Sequence, residues 1–313
     1  MIHVNKLQDA GLKHPSLVTI GVFDGIHRGH QELIRQLVMT AHQADYKAVV
    51  LTFFPHPDVV LRGIESRYYL TTPDFRAQLL GDMGVDVVVT TPFDEQLRMI
   101  RAVDYADGLI QHLQMKTLWV GRDFAMGYKR EGDVTYLTQL GAQKGFDVVA
   151  VDLVTHNHDG ERISSSAIRG YLETGAVNKA TELLGRSYCV QGEVIRGDRR
   201  GHTIGFPTAN MDVWDQQVLP TNGVYAGWAT LGEETFMAVT NVGIRPTFSG
   251  TDITIEPHLL DFDRDIYGET LSLTFEMRLR GEKKFDGIES LKAQLYDDIA
   301  IGREFLEKQK IVG

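Results

Sequence analysis

One cysteine, Cys189, occurs in 313 residues, so no disulfide can form within the chain and a reducing compartment is expected. No apolar run approaches the roughly 18 residues of a membrane-spanning helix, and Met1 to Lys13 lack the apolar core of a signal peptide. A cytoplasmic location follows as the expectation. Basic residues are in deficit, 32 Lys and Arg against 42 Asp and Glu, and the formal net charge of −10 argues against a broad nucleic-acid or anionic-membrane surface. Any phosphate ligand must then be held by local clusters of Arg, Lys and His. Internal repeats and low-complexity tracts are absent, as is any Gly-x-x-x-x-Gly-Lys-Ser/Thr, so a kinase in this chain would not be of the P-loop type. The remainder is ordinary globular material, 43% hydrophobic and 24% charged, at a length that suggests two domains. No feature sets an oligomeric state.

The first half alternates strand and helix patterns. Leu17 to Ile20 reads as a buried parallel strand, and Leu33, Ile34, Leu37, Val38 and Ala41 repeat with helical spacing from about Arg28. A second strand over Ala48–Phe53 stops at the loop Phe54-Pro55-His56-Pro57. Thr72-Pro73-Asp74 carries a cap and an N1 proline for a helix running to about Met83. Further strands are expected over Val85–Thr90, Thr117–Gly121 and Phe146–Val151, with helices over Val103–Leu113 and Val134–Lys144. Five strands alternating with helices predict a doubly wound parallel sheet, whose ligands bind beyond the carboxyl ends of the strands.

The stretch between the first strand and helix is Gly21-Val22-Phe23-Asp24-Gly25-Ile26-His27-Arg28-Gly29-His30. Its glycines permit close backbone approach, and the helix that follows aims free N–H groups at the turn, as suits a phosphate. A lone loop histidine is ordinarily structural, but His27 and His30 lie three apart and can reach one pocket. Two more segments stand at such strand ends. His56 follows the second strand, and Gly121 to Asp133, rich in glycine, aromatic and basic residues, reads either as a solvated loop or as a lid whose aromatic residues contact a planar ring while its basic residues meet phosphate. Farther on, Arg162-Ile163-Ser164-Ser165-Ser166-Ala167-Ile168-Arg169 opens another helix. Capping would explain one serine, while three with Arg169 in the first turn form a second anion-binding terminus.

Beyond Leu183-Leu184-Gly185 the period changes from helical to two. Tyr188–Arg196, Val224–Trp228 and Leu271–Arg280 alternate apolar with polar or small residues, which predicts an antiparallel sheet, closed as a small barrel. A terminal helix follows, with a capping-box pattern at Asp286 and Glu289 and Ile288, Leu291, Leu295, Ile299 and Phe305 along one face. The domains are therefore expected at 1–185 and 186–313. Within the second, Arg196 to Asn210 crowds three arginines and three glycines into one loop, including Gly197, Arg199, Gly205, Pro207, Thr208 and Asn210; a charge run is usually a solvated face, but this glycine density suggests a backbone shaped around phosphates.

On these residues the chain resembles the bacterial bifunctional riboflavin kinase and FMN adenylyltransferase family, also called FAD synthetases. His27-Arg28-Gly29-His30 is similar to the His-x-Gly-His signature of nucleotidylyltransferases, and the Ser164–Arg169 segment is similar to their motif for the β- and γ-phosphates of ATP. Gly-Phe-Pro-Thr-Ala-Asn at 205–210, Asn241 to Phe248 and Glu256 to Phe262 resemble the riboflavin kinase module. The resemblance implies a Rossmann-like nucleotidylyltransferase domain followed by a kinase barrel, with ATP, riboflavin and FMN as substrates and Mg²⁺ as the metal. Gly21, Phe23, Asp24, Gly25, Arg162, Ser164, Ser165, Ser166, Gly197, Arg199, Gly205 and Pro207 would meet ATP or its phosphates, His56, Asp123, Phe124 and Arg245 the flavin, and Thr208 and Asn210 the Mg²⁺. Met126 stands where the family usually has Phe.

The two implied reactions make different demands. Riboflavin's 5′-hydroxyl is a weak nucleophile that benefits from a base, and Glu256 is the candidate by motif position, although a lone strand carboxylate would ordinarily have no such role. The phosphate of FMN is already an anionic nucleophile, so adenylyl transfer needs positioning and charge stabilisation, which His27, His30, Arg169, Ser165 and Ser166 would supply as donors. Zinc at the histidines is not expected, because no third ligand falls at a suitable spacing. The alternatives are a kinase with a weakened adenylyltransferase, marked by Met126, a non-catalytic flavin-binding regulator, and a His-x-Gly-His transferase of another specificity, which would not require the barrel.

Overall fold

The structure is a computed structural model that describes residues 1–152, 160, 162–197, 204–247 and 250–312. It divides into two compact units, Met1–Ser165 and Ser166–Gly313. No helix among the described residues is long and apolar enough to cross a membrane.

The first unit is a parallel sheet built from β1 (Ile2–Val4), β2 (Ser16–Ile20), β3 (Lys47–Phe53), β4 (Val87–Thr91), β5 (Met115–Gly121) and β8 (Asp147–Val151), in the spatial order β1-β4-β3-β2-β5-β8. A two-stranded ribbon, β6 (Ala125–Met126) with β7 (Gly132–Asp133), stands apart from it. The strands read as continuous apolar runs because both faces are covered. Leu17, Ala48, Val50 and Val88 meet Ile34 and Leu37 of α1 (Arg28–Gln43) and Ala77 and Leu80 of α3 (Pro73–Asp82) on one side. Val18, Ile20, Val49 and Leu51 meet Leu109 of α5 (Ala102–Leu113) and Leu137 of α6 (Val134–Lys144) on the other. Neighbours in sequence thus go to opposite cores, as a period of two requires.

Three local features differ from expectation. The sheet has six strands rather than five, because β1 adds to the edge through Ile2 opposite Val87, and three residues are too few to show a period. The Phe54–Pro57 loop runs directly into α2 (Pro57–Arg62), with Pro57 at its first turn and His56 as its cap. A further short helix, α4 (Glu95–Met99), capped by Asp94, follows β4.

The second unit begins with α7 (Ser165–Thr174), its first residue excepted, and α8 (Val177–Leu184). Both helices precede Gly185 yet count with this unit; Thr221 N–H donates to Leu172 O (2.9 Å), and Arg278 donates to Thr174 O and Asn222 O (3.3 and 2.8 Å). The antiparallel sheet runs β10 (Asn210–Val213), β9 (Tyr188–Ile195), β14 (Thr270–Phe275), β11 (Gly223–Leu231), β12 (Glu234–Thr247) and β13 (Gly250–Leu259), with β15 (Met277–Arg280) also on β11. Ala209 N–H donates to Pro257 O (2.9 Å) and brings the two ends together as a nearly closed barrel. The run from Leu271 to Arg280 is broken at Glu276, where the chain crosses Gly227 so closely that a Cβ there would lie 1.8 Å from Thr274 O.

The terminal helix α9 (Ile288–Val312) corrects two expectations. Gly287 O accepts from Leu291 N–H, so the helix starts beyond a capping box at Asp286, and Ile288 is 60% exposed. Its inner face holds Asp298, Gly302 and Leu306 beside Ile299, which packs against Val224, Val239 and Leu260, while Leu291, Leu295 and Phe305 are half-buried. Asp298, buried, takes both oxygens' bonds from Arg280 Nε at 3.0 Å, and a Cβ on Gly302 would meet Val239 at 3.0 Å. Polar and glycine positions share this contact with Ile299 and Leu306, and apolar periodicity reports only the latter two.

Candidate active sites

The turn from β2 to α1 is strained and held from several sides. Phe23 (φ 52°) and Ile26 (φ 40°) adopt left-handed backbone without being glycine, at a cost of roughly 1–2 kcal/mol each. Gly21 is required by the Phe23 ring, which lies 2.9 Å from where a Cβ would be, and Gly25 (φ 78°) by its own conformation. The buried carboxylate of Asp24 accepts from Leu70 N–H (3.0 Å), Thr71 N–H (3.2 Å) and the Thr71 hydroxyl (3.3 Å), and Gly25 N–H donates to Thr71 Oγ1. Phe23 and Asp24 therefore lie inside the protein and shape the turn. Val22 O accepts from the Thr52 hydroxyl (2.7 Å) and from Arg76 Nη1 (2.8 Å), whose other nitrogen, Nη2, reaches Phe53 O (3.3 Å). Arg76, on α3, is fully buried.

His27 caps α1, with Nδ1 accepting from His30 N–H (3.3 Å). This bond makes Nε2 the protonated nitrogen of a neutral His27. The two rings stack at 3.6 Å with 15° between their planes, and Phe23 meets His30 edge-on at 5.2 Å. Burial, then the neighbouring His27 and Arg76, hold the His30 imidazole well below its ordinary pKa, so it is neutral at pH 7. Its Nδ1 is buried with no hydrogen-bond partner among the described residues.

The second phosphate-type motif meets the turn through Ser165. Ser165, at the start of α7, donates its hydroxyl to Asp24 O (2.8 Å) across 141 positions of sequence. Ser164 is half-buried, Ser166 and Arg162 are exposed, and Arg169 is buried in the second turn of α7.

His56 sits in the wall beside this turn. Its Nδ1 accepts from Asp58 N–H (2.9 Å), its own N–H donates to the Tyr69 hydroxyl (2.9 Å), and its ring meets Tyr68 edge-on at 5.0 Å. The Gly121–Asp133 segment is docked against the start of α5 rather than projecting as a free lid. A Cβ on Gly127 would lie 2.5 Å from Ala102 N and one on Gly132 2.6 Å from Ala102 Cβ, while Glu131 accepts from Ala102 N–H and pairs with Arg101. Arg122 pairs with Asp152, and Arg130 donates to Asp123 O, so these two cations are already engaged. Met126 faces the core of the unit and Phe124 packs half-buried on the same cluster; Asp123 is exposed.

In the barrel, Gly197 passes so near Asn210 that a Cβ would fall 2.2 Å from its Nδ2. His258 Nδ1–H donates to Pro207 O (2.6 Å), and with the Ala209–Pro257 bond this lays Thr208–Asn210 alongside Glu256–His258 of β13. Thr208, Asn210 and Glu256 are half-buried, with Glu256 opposite Asn241 in the ladder, while Gly205 (φ 87°) and Pro207 are exposed. Arg245 lies in β12 opposite Asp252, and Arg199 falls outside the described residues. Among the described residues no group of three His, Cys, Asp or Glu could hold a metal.

Sequence reasoning missed the Tyr69–Thr71 strap, Arg76 and His258. The one available signal was Arg76, a cation on the same helix face as Ala77 and Leu80.

Residues 10–167 match the family model described as FAD synthetase, and residues 184–306 that described as riboflavin kinase. The bifunctional riboflavin kinase/FMN adenylyltransferase of Escherichia coli K12 is 37% identical over 291 residues, covering 92% of each chain, and that of Bacillus subtilis is 34% identical over 288, covering 90% of each. A crystal structure described as a macrolide-efflux protein from Streptococcus pneumoniae superposes with a TM-score of 0.88 at 31% identity, over 96% of this chain and 98% of that one. With both models matched in order and relatives similar along nearly their whole length, the chain belongs to the bifunctional riboflavin kinase/FMN adenylyltransferase family.

Proposed function

We propose that this chain converts riboflavin and ATP to FMN and ADP in its barrel, and FMN and ATP to FAD and pyrophosphate at the His27 turn. The single observation that carries the adenylyl-transfer reading is the Ser165–Asp24 hydrogen bond, which draws the start of α7 to the turn that opens α1. The N-terminus of α1 with His27 and His30, and Ser165 bonded beside it, make a donor-rich setting for a polyphosphate. The FMN phosphate attacks the α-phosphorus of ATP and pyrophosphate leaves. A neutral, half-buried His30 and the Nε2–H of His27 give hydrogen bonds to charge developing on the phosphates without removing a proton. Arg169 and Ser166 add donors, and His56, Asp123 and Phe124 meet the flavin. Asp24 and Phe23 act by shaping the turn.

In the barrel, Glu256 accepts the proton of the riboflavin 5′-hydroxyl as it attacks the γ-phosphorus. Gly197 and Gly205 give the nucleotide loop its path, with Arg199 on the phosphates and Arg245 toward the flavin. Thr208 and Asn210 present half-buried neutral oxygens, hard donors suited to Mg²⁺ that is held mainly by nucleotide phosphates. When bound, the ion neutralises phosphate charge. The activities are assigned to 1–185 and 186–313, the first reaching past the parting at Ser165 to include Ser166 and Arg169. The setting is cytoplasmic, the partners are small molecules, and neither nucleic acid nor membrane is involved.

The test is chromatography of products from the full chain given riboflavin, excess ATP and Mg²⁺. FMN rising first and then converting to FAD supports the reading; FMN with no FAD removes the adenylyl-transfer half, and no flavin product removes both.

A further inference from the structure

Arg76 is a puzzle in purely structural terms. Its guanidinium is fully buried on a helix face that otherwise carries Ala77 and Leu80, its Nε has no partner among the described residues, and its hydrogen bonds go to two carbonyls rather than to a carboxylate. Asp24 is the anion that acts on it most strongly, and the Asp24 oxygens accept from Leu70 and Thr71. Burying a cation with so little compensation costs stability that an apolar residue of similar volume would avoid.

The two carbonyls explain its retention. Phe53 O ends β3, and Val22 O lies two residues beyond the end of β2, so the flat fork of the guanidinium fixes the separation of the two chain ends that frame the turn. A trans peptide points its C=O and N–H in opposite directions. With Val22 O held by Arg76 and Thr52, the N–H of Phe23 is aimed away from them.

We propose that Arg76 is a positioning residue for adenylyl transfer, fixing the Val22–Phe23 peptide so that its N–H and the adjacent histidine pair face the phosphates; this rests on the function proposed above. Its charge has a second consequence. His30 is faced by His27 on its own element and by Arg76 from α3, and Arg76 is faced in turn by Asp24 and Tyr69. Burial and both neighbours disfavour the imidazolium, so removing the Arg76 cation raises the pH at which His30 takes a proton.

The experiment uses the full chain with Arg76→Lys and Arg76→Met. Three quantities are measured: FAD formation from FMN across pH, FMN formation from riboflavin, and the His30 titration by NMR. Arg76→Met should lower kcat for FAD formation by about 100-fold, in the range of a lost oriented donor, with KM changed only a few-fold. It should also move the acid limb and the His30 titration to higher pH and leave FMN formation unchanged. Arg76→Lys keeps the charge but not the fork, so it should hold the wild-type titration while losing about tenfold in kcat. A Lys variant with wild-type kcat overturns the fork, and a Met variant with an unmoved His30 titration overturns the charge effect. Equal losses of both activities in both variants show a merely structural role and overturn the proposal. The titration needs no turnover, so wild-type protein that makes no FAD would sink the proposed function while leaving the test of Arg76 readable.

Discussion

The strap over the His27 turn should be the most sensitive point of the first unit, and Asp24 is where to press it. Its carboxylate accepts from two backbone N–H groups and one hydroxyl, all buried, and it is the anion nearest the buried Arg76. Asp24→Ala leaves two N–H groups unpaired, at about 1–3 kcal/mol each, and a buried cation uncompensated, at about 3–5 kcal/mol. The sum, of order 5 kcal/mol or more, rivals the whole stability of a typical domain. Asp24→Asn keeps an acceptor where Oδ1 stands but removes the same charge from beside Arg76, about 3–5 kcal/mol. The assay follows FAD formation from FMN and FMN formation from riboflavin in parallel across urea, so that each unit reports on itself. At a slope of about 2 kcal/mol per molar, the Asn variant should lose FAD formation at about 2 M lower urea, with the FMN curve unmoved. The Ala variant should have no measurable FAD formation. An Asn midpoint within about 0.2 M of wild type, or an Ala variant no worse than Asn, would refute the reasoning.

Three further outcomes follow from the geometry. Ser165→Ala removes the bond to Asp24 O; FAD formation should fall at least tenfold and the first unit lose about 1 kcal/mol in urea titration, with FMN formation unchanged. Gly197→Ala places a methyl 2.2 Å from Asn210, so kinetics with riboflavin should show a raised KM for ATP and lower kcat, while FAD formation from supplied FMN is unaffected. His30 has its folded pKa depressed, so between that value and about 6.5 the unfolded chain binds the extra proton, and stability falls as pH drops through this window. Urea titrations at pH 7 and pH 5 should show that fall in the first unit, and His30→Asn should flatten it.

The sequence showed most clearly what depends on period and spacing. Alternation placed β2 and β3 in a doubly covered sheet, Val134–Lys144 matched α6 end to end, and His27 and His30 declared themselves by proximity. What it hid depends on partners distant in the chain. Thr71 and Arg76 are unremarkable in their own segments and acquire roles only when Asp24 and Val22 arrive from 47 and 54 positions away. Met126 looked like a weakened ring contact, but the ribbon turns it into the core, where a flexible thioether fills space as well as an aromatic. The terminal helix misled for a related reason, since its buried face is anchored by Asp298 and Gly302, which no hydrophobic pattern marks.

The central claim is that two chemically distinct sites operate in one chain, and reciprocal variants of the full-length protein test it most directly. His27→Ala given riboflavin, ATP and Mg²⁺ should accumulate FMN without FAD. Glu256→Gln should make no FMN from riboflavin yet convert supplied FMN to FAD at the wild-type rate. Loss of both products in either variant, or retention of FAD formation in His27→Ala, would contradict the account.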